Sequence, residues 1–547
     1  MTTGTEWDVC VIGSGAGGGV MAERLSAAGM KVVVLERGRH YSPDAFLHQD
    51  ELGNVIRQDF FLPDYRETQR ETSADKALPG KYSLMAQTVG GGTVHWGSWS
   101  WRFRPDEFRV ASTDGVVAGS SLVDWPIGYD ELKPYYDLAE QTLGMSGLAG
   151  SNPFAAPGHN PYPNPAHVYR PASRLIEKGA QALDLHPFPI PMAINSRIYG
   201  GRGKCMNSGF CSSFGCPVQA KASSLAIHIP AALATGNCTL LANCQAVELV
   251  EGEGDRLRGV RYLDSEGREQ LLRARQIVLS AGSIGTTQLL LQSTSSRFPR
   301  GLLNNNDQVG RNLMCHVFAM VNFEMEAPSL SALGPPGNVA VDDFHPSDSR
   351  RGFVRGGVIG EAIEATPIVS ALKAGGYLRR DRRVWGRELS DYLSRYPHIG
   401  GLIMVGEDLP VADNRIDLDP DHRDSQGLPL PRITHQRHDN DIRLARYFEQ
   451  RMGEIARAGG ASKTWATDYT GVKTGSGHIM GTCRMGDDPE TSVLNRWCRA
   501  HDISNLWVVD GSCFPTSGGY NPTLTIYANA YRVADHFVAL NSKGELS

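Results

Sequence analysis

Three glycines near the amino terminus have the spacing that binds a dinucleotide. Gly13, Gly15 and Gly18 form the pattern Gly-x-Gly-x-x-Gly directly after an apolar run. A second apolar run ends at Glu36. In such a pattern the first glycine permits a tight turn, the second lets the backbone approach a pyrophosphate and the third lets a helix pack closely on a strand. A carboxylate placed like Glu36 accepts hydrogen bonds from a ribose hydroxyl. The pattern therefore predicts a nucleotide site within residues 1–38.

The segments around these glycines are those of a strand–helix–strand unit. An apolar strand begins at Trp7, a helical segment follows over residues 20–28, and a second apolar strand runs over residues 31–36. The amino terminus of such a helix offers free N–H groups and a positive dipole end to phosphates. This setting makes the fingerprint much stronger than a lone glycine pattern, and it predicts an α/β fold.

The composition is that of an ordinary globular protein with several domains. The chain has 547 residues, 41% of them hydrophobic, and a net charge of −5. This charge gives no electrostatic reason to expect nucleic acid or an anionic membrane as a partner. The sequence contains no long uncharged apolar run of the kind that would predict a membrane span. The first strand starts near residue 6 and leaves no room for a signal peptide. We therefore expect a cytoplasmic protein, with periplasmic export on a partner's signal left open.

Further strand patterns predict that the nucleotide fold is discontinuous. Residues 239–250, 256–263 and 269–279 predict a meander, and residues 284–291 predict a helix after it. Residues 320–470 alternate apolar stretches with proline-rich joints and predict a separate α+β substrate domain on an antiparallel sheet. We assign residues 1–45, 80–110, 204–318 and 475–547 to the nucleotide domain, and residues 46–79, 111–203 and 319–474 to the substrate domain.

Taken together, the motifs resemble those of the glucose–methanol–choline oxidoreductases, FAD enzymes that oxidise alcohols. Besides the fingerprint, the resemblance rests on residues 90–96, 278–290, 309–313 with His316, 477–486 and 521–525. The segments 124–127 and 518–523 look more like the gluconate and fructose dehydrogenase branch than like glucose oxidase. His95-Trp96 looks like the pyranose oxidase version of the glycine-rich loop. The resemblance implies a Rossmann-like FAD-binding domain and a small alcohol or sugar as substrate.

The resemblance also implies which residues carry the chemistry. Oxidation of an alcohol removes a hydride, which a flavin can accept, and a proton, which needs a base. His478 matches the family's catalytic histidine, and imidazole titrates near neutral pH. Asn521 matches a second position that is histidine or asparagine in the family, and its amide can hold the substrate oxygen but cannot act as a base. Asn521 also suits the start of the last helix.

The remaining cofactor contacts follow from the same resemblance. Its flavin-facing loop contains Gly91, Gly92, Thr93 and His95. In several relatives a histidine at this position is joined covalently to the flavin, and we favour a contact of His95 without a bond while leaving the covalent link open. Other residues expected near the cofactor are Val247, Ala281, Gly282, Asp510, Gly511 and Thr523.

A cluster of cysteines leaves two interpretations open. Cys205, Cys211 and Cys216 lie within twelve residues, and some multi-subunit sugar dehydrogenases of the family hold an iron–sulfur cluster near this point. The chain lacks the two adjacent cysteines of that pattern, and no fourth zinc ligand is apparent near the three cysteines. We therefore expect no metal and a loop with free thiols or one disulfide.

Several functions remain open from the sequence alone. The electron acceptor can be oxygen, a quinone or a redox protein, so the chain is a dehydrogenase or an oxidase. One alternative is the catalytic subunit of an electron-transfer complex with a small subunit. Another is a non-redox FAD lyase or isomerase of the same family. An NAD enzyme fits the fingerprint but not the later motifs.

Overall fold

The structure, a computed structural model, describes residues 6–48, 50–53, 66–81, 83–362, 366–372, 385–467 and 477–546. The strands in these ranges are β1 (Trp7–Ile12), β2 (Val32–Glu36), β3 (Glu67–Arg70), β4 (Leu78–Gly80), β5 (Ser146–Gly147), β6 (Asn164–Pro165), β7 (Pro187–Pro189), β8 (Cys238–Ala242), β9 (Gln245–Glu251), β10 (Leu257–Leu263), β11 (Glu269–Leu279), β12 (Met314–Cys315), β13 (Val317–Glu324), β14 (Val339–Val341), β15 (Gly357–Ala362), β16 (Ile399–Gly406), β17 (Arg415–Arg423), β18 (Pro429–Thr434), β19 (Lys463–Thr467), β20 (Ile479–Met480) and β21 (Leu506–Val508). The helices are α1 (Ala16–Ala27), α2 (Val110–Asp114), α3 (Tyr129–Leu143), α4 (Pro171–Gln181), α5 (His228–Ala234), α6 (Gly282–Gln292), α7 (Pro367–Leu372), α8 (Arg387–Arg395), α9 (Asp439–Gly459) and α10 (Thr523–Ser542).

A parallel sheet forms the first layer and gathers strands from distant parts of the chain. Its order is β8-β2-β1-β11-β21, and every neighbouring pair is parallel. The central strands β1 and β2 are short apolar runs that are largely buried, as parallel strands are when both faces of a sheet are covered. Helix α1 packs against α5 and α10 beside this sheet. The predicted α/β fold is thus confirmed, and its parallel sheet is discontinuous in sequence.

The meander differs from its prediction, because the strand expected over residues 239–250 is divided into two strands, β8 and β9. The run 239–250 is interrupted at Asn243, which adopts φ +56°. Strand β8 before the break pairs in parallel with β2, and β9 after it pairs antiparallel with β10. Strand β11 is long enough to serve both arrangements, because its first half pairs with β10 and its second half with β1. A left-handed residue is the local device that turns the chain from one sheet to the other.

Helix α1 begins at Ala16, four residues earlier than the sequence predicts. Residues 17–19, which precede the predicted start, are all glycine, the poorest ordinary helix former. All three are buried. Close packing with the rest of the fold therefore outweighs the low helix propensity. Helix α6 likewise extends by one or two residues at each end beyond the predicted 284–291.

A second layer is an antiparallel sheet of six strands in the order β19-β13-β16-β15-β14-β7. Helix α9 lies on it beside α4. It buries one apolar face through Leu444, Phe448, Met452 and Ile455, whose spacing follows the helical repeat. The expected antiparallel sheet of the second domain is present, whereas the assigned domain boundaries remain a prediction.

A smaller sheet joins both halves of the sequence, in the order β17-β18-β3-β4. Among the described residues no helix is long and apolar enough to cross a membrane.

Candidate active site

The glycine fingerprint forms a tight turn at the carboxyl end of β1. Gly13 has φ +95°, and a Cβ there would lie 2.3 Å from the carbonyl oxygen of Ser280. A Cβ on Gly18 would lie 2.0 Å from the carbonyl oxygen of Gly13, so the third glycine does allow the close helix–strand contact. Gly15 differs, because a Cβ there would meet no atom within 4 Å. Gly15 therefore faces open space, as a residue reserved for a pyrophosphate would.

Glu36 links the end of β2 to this turn. The buried carboxylate accepts hydrogen bonds from Ser14 Oγ at 2.7 Å and from the backbone N–H groups of Ser14 at 3.0 Å and Gly38 at 2.8 Å. Burial raises the pKa of Glu36, and these donors oppose that rise. The carboxylate is thereby held at the cavity wall, where a ribose hydroxyl can reach it.

The glycine-rich loop lies against the fingerprint. Gly90 adopts φ +94° and donates its N–H to Ser14 Oγ at 2.9 Å. A Cβ on Gly91 would lie 2.9 Å from the Gly15 Cα, whereas one on Gly92 would meet nothing within 4 Å. Thr93 closes the turn by donating its hydroxyl to the carbonyl oxygen of Gly90 at 2.6 Å.

Asp510 holds the third wall of the cavity at the start of α6. One carboxylate oxygen accepts from the N–H of Gly282 at 3.0 Å and from Thr286 Oγ1 at 2.7 Å. The other accepts from the backbone N–H of Ser512 at 2.9 Å. Burial raises the pKa of this carboxyl group, while the donors lower it. Asp510 therefore ties the ends of β11 and β21 together beside the fingerprint turn.

These walls enclose a single continuous cavity of about 680 Å³. It lies between the carboxyl ends of the parallel strands and the six-stranded sheet, the usual ligand position in such folds. Fourteen of the sixteen predicted residues line it, namely Gly13, Gly15, Glu36, Gly91, Gly92, Thr93, His95, Ala281, Gly282, His478, Asp510, Gly511, Asn521 and Thr523. Gly18 supports the turn from behind. Val247 does not line the cavity, and its carbonyl oxygen accepts from Gln292 Nε2 at 2.7 Å.

The catalytic end of the cavity brings together three side chains that are far apart in sequence. His478 Nε2 lies 3.2 Å from Asn521 Nδ2, and His478 Nδ1 lies 2.9 Å from His316 Nδ1. The other ring nitrogen of His316 lies 2.9 Å from the carbonyl oxygen of Gly518 and 3.2 Å from that of Ser517. His478 is therefore held on both ring nitrogens.

Asn521 is itself held by a buried aromatic and ionic layer. Trp101 Nε1 donates to Asn521 Oδ1 at 3.0 Å, and its ring stacks on Tyr520 with centroids 5.5 Å apart. Below Tyr520 lies His345, with Nδ1 3.0 Å from Asp342 and Nε2 3.1 Å from Glu107. Asp342 also accepts the Tyr520 hydroxyl.

Burial keeps three histidines in or behind the cavity wall neutral in the resting protein. It lowers the pKa of His478 well below its usual value, with a further contribution from His316. The pKa of His316 falls to about 4, and that of His95 to about 3 with the nearby Lys221 adding to the effect. His345 is the opposite case, because its two carboxylates overcome burial and raise its pKa to about 9.

The cysteine-rich loop is held by a lysine. Lys221 is buried and donates Nζ hydrogens to the carbonyl oxygens of Cys211 at 2.7 Å, Phe214 at 2.6 Å and Trp96 at 3.2 Å. No group of three or more histidine, cysteine or acidic side chains in the described residues has a geometry that could hold a metal. The expectation of a site without metal stays a prediction.

Sequence reasoning missed the layer behind Asn521. His316 lies in a recognised motif, yet that motif gave it no role. Trp101 does not line the cavity but packs behind it and donates a hydrogen bond to Asn521. Glu107, Asp342 and His345 had no signal at all, because residues 107 and 345 are 238 positions apart and meet only in the fold.

The residues that line the cavity fit a dinucleotide cofactor whose ring takes part in the reaction. The open space above Gly15 and Gly92 is where added Cβ atoms would intrude on a ligand. The same cavity continues from Glu36, where a ribose would bind, to His478 and Asn521, where chemistry would occur.

Comparison with known sequences identifies the family. Residues 77–318 and 410–530 match GMC oxidoreductase, and residues 11–58 match an NAD(P)-binding Rossmann-like domain. The chain therefore belongs to the GMC oxidoreductase family, an FAD-binding family with dehydrogenases and oxidases that act on alcohols.

Three relatives match nearly the whole chain. It is 35% identical to a 2-methyl-1,2-propanediol dehydrogenase of Mycolicibacterium austroafricanum, covering 98% of this chain and 96% of the relative. It is 34% identical to a paromamine 6'-oxidase of Streptomyces fradiae, covering 96% and 90%. It is 30% identical to a gluconate 2-dehydrogenase flavoprotein of Pantoea cypripedii, covering 96% and 92%. Dehydrogenases and an oxidase thus match almost equally well.

Proposed function

We propose that this protein oxidises a hydroxyl group of a small neutral polyol or related compound to a carbonyl, with His478 as the base. The observation that carries the proposal is the pair His478–Asn521 at one end of a cavity whose other end is the dinucleotide fingerprint. FAD, when bound, supplies the hydride acceptor at flavin N5. The chain supplies the base and the groups that orient the substrate.

His478 suits the removal of the hydroxyl proton. Because burial lowers its pKa, the imidazole is neutral at pH 7 and has a lone pair to receive a proton. Nε2 is the nitrogen that faces Asn521, and the amide of Asn521 has a second hydrogen with which to hold the substrate oxygen. Proton removal and oxygen orientation are thus divided between two side chains.

The wall of the catalytic end favours a neutral substrate. Next to His478 the cavity is lined by Phe318, Met320, Ile403 and Val405. The charged lining side chains in the described part of the chain are Glu36, Arg37 and Asp510. The causes that shift the pKa of His478 are burial and His316, and none of these three charges is among them. A neutral diol suits this uncharged wall better than the carboxylate of gluconate or the ammonium groups of an aminoglycoside.

We further propose that His95 contacts the flavin without a covalent bond. Its half-buried ring lines the cavity next to Gly92 and Thr93, and its low pKa keeps it neutral. Acid precipitation of the holoprotein tests this: we expect the yellow flavin to remain in the supernatant. Flavin that stays with the precipitated chain, and is lost in His95→Ala, would show the covalent link instead.

The central test is anaerobic reduction of the bound flavin. We expect its visible bands to bleach with 2-methyl-1,2-propanediol or a similar neutral polyol, and to remain with gluconate and paromamine. Reoxidation by oxygen, a quinone analogue or a redox protein then identifies the acceptor. Flavin that no alcohol reduces would overturn the proposal and favour a non-redox role.

A further inference from the structure

We infer that His316 and Trp101 are positioning residues that fix, from opposite ends of one hydrogen-bond chain, the tautomer in which His478 presents an unprotonated Nε2 to the substrate. The inference rests on the proposed role of His478 as the base. It adds two residues, neither of which needs to touch the substrate, to the machinery of proton removal.

The first end of the chain is set by carbonyl oxygens. Carbonyl groups only accept, so His316 Nε2, which faces the carbonyl oxygens of Gly518 and Ser517, must carry a hydrogen. In a neutral ring the other nitrogen, Nδ1, is then an acceptor. It lies 2.9 Å from His478 Nδ1, which must therefore be the donor.

The second end is set by an indole. Trp101 Nε1 only donates, so the atom of Asn521 that faces it is the amide oxygen. The amide nitrogen consequently points to His478 Nε2, which must accept and so carries no hydrogen. The two ends give the same answer for His478 although they share no group with each other.

The alternative states fail at one end or the other. If His316 were an imidazolium, its Nδ1–H would face His478 Nδ1 and would place the hydrogen of His478 on Nε2, against an amide N–H. Burial of His316 outweighs the groups that would favour that state. Asp408 and Glu107 raise its pKa, but burial prevails and the value is about 4. Arg437 pairs with Asp408 and also donates to the His316 carbonyl oxygen at 2.9 Å.

The arrangement has a direct consequence for the reaction. When the substrate O–H bond breaks, its proton forms a bond to His478 Nε2, while the C–H electron pair leaves as hydride. The Nδ1–H of His478 stays hydrogen-bonded to Nδ1 of His316 throughout. The His478 ring therefore accepts the proton without rotating or exchanging tautomers. A wrong tautomer would present an N–H to the hydroxyl and could not accept its proton.

The test is the protonation pattern of His478 in the holoprotein labelled with ¹⁵N-histidine. Long-range ¹H–¹⁵N correlation spectra at pH 7, assigned by loss of signals in His478→Asn, should show a protonated Nδ1 and an unprotonated Nε2. In His316→Phe we expect this pattern to be replaced by the Nε2–H tautomer or a mixture. His316→Asn should preserve it, because the Asn Oδ1 can replace Nδ1 as acceptor. Trp101→Phe tests the other end and covers the case in which His316→Phe does not fold.

Kinetics give the second readout. With an alcohol that reduces the flavin, we expect His316→Phe to lower kcat at least about tenfold with little change in KM, and His316→Asn to restore most of it. His228→Asn is the matched control, because His228 is also fully buried and bonded to a side chain, but that side chain is Tyr531 rather than His478. It should leave the His478 pattern and kcat unchanged.

Two results would overturn the inference: a wild-type His478 that carries its hydrogen on Nε2, or a His478 pattern that is unchanged in both His316→Phe and Trp101→Phe. The spectra need no substrate. A protein that oxidises no alcohol but shows the expected tautomer would therefore refute the proposed function alone.

Discussion

The two ends of the cavity are built by different means. At the nucleotide end, Ser14 and Glu36 are 22 positions apart and the walls are mostly backbone. At the catalytic end, His316 and His478 are 162 positions apart, Trp101 and Asn521 are 420 apart, and the contacts are between side chains. At the first end, the fingerprint turn is therefore a local property of one strand–helix–strand unit, and the glycine-rich loop and Asp510 complete the walls from elsewhere in the chain. The second exists only when the whole fold has formed.

The difference predicts how each end responds to substitution. Where the backbone forms the wall, an added methyl group costs binding or packing. Where side chains form the wall, each removed hydrogen bond misplaces the next group and so costs rate before it costs affinity. Substitutions at the two ends should therefore separate into those that lose cofactor and those that keep it but react slowly.

The largest expected effect is at the catalytic end. His478→Asn should lower the rate of flavin reduction by about 10²–10⁴-fold, which is roughly 3–5 kcal/mol of barrier, because the base is lost. The flavin content should remain that of the wild type, since His478 is distant from the fingerprint. Stopped-flow reduction and the absorbance ratio of flavin to protein measure both. A rate within threefold of wild type would show that another group is the base.

The next effect lies behind the catalytic end and depends on pH. The folded pKa of His345 is about 9, above the unfolded value near 6.5, so its ion pairs with Glu107 and Asp342 contribute fully below pH 6.5 and are lost as pH rises through 9. The contribution is about 3 kcal/mol. In His345→Gln we expect a lower free energy of unfolding at pH 6.5 and a smaller decline from pH 6.5 to 9.5.

Denaturant unfolding of both proteins across that pH range measures the difference, in which the titration of other groups cancels. Equal slopes for wild type and variant would mean that His345 is neutral in the folded protein, and the layer beneath Tyr520 would then be an ordinary hydrogen-bond network.

A matched pair of alanine substitutions sharpens the comparison at the nucleotide end. A Cβ on Gly17 would lie 1.7 Å from the carbonyl oxygen of Val509, whereas one on Gly15 meets no atom within 4 Å. Gly17→Ala should therefore destabilise the apoprotein by about 1–3 kcal/mol. Gly15→Ala should fold with unchanged stability but bind FAD at least about tenfold more weakly, because its methyl group enters the space left for the pyrophosphate.

Apoprotein stability and FAD titration distinguish the two. Gly15→Ala with normal FAD affinity would show that the cofactor does not approach this turn closely, and the assignment of the open space would fail.

The same contrast explains what the sequence could predict. Gly13, Gly15 and Glu36 are found from spacing, because a strand–turn–helix encodes their positions locally. His478 and Asn521 are found only by resemblance, since nothing in their own neighbourhood shows that they meet. Glu107, Asp342 and His345 give no signal, because burial of an ion pair depends on three segments that converge in space. The split of residues 239–250 was missed because one left-handed residue, Asn243, decides it.

The smallest expected effect concerns the cysteine loop between the two ends. Burial raises the pKa of Cys205 to about 11 and also raises that of Cys211, so both thiols are protonated at neutral pH, whereas metal ligation needs thiolates. The loop is held by the three carbonyl bonds of Lys221 rather than by its thiols. Cys211→Ser should therefore change the free energy of unfolding by less than about 1 kcal/mol and leave the visible spectrum unaltered. Lys221→Met is the contrasting variant and should loosen the wall beside His95. Iron near one cluster per chain in the purified protein, lost in Cys211→Ser, would instead show that the loop rearranges around a metal and that this chain works as an electron-transfer subunit.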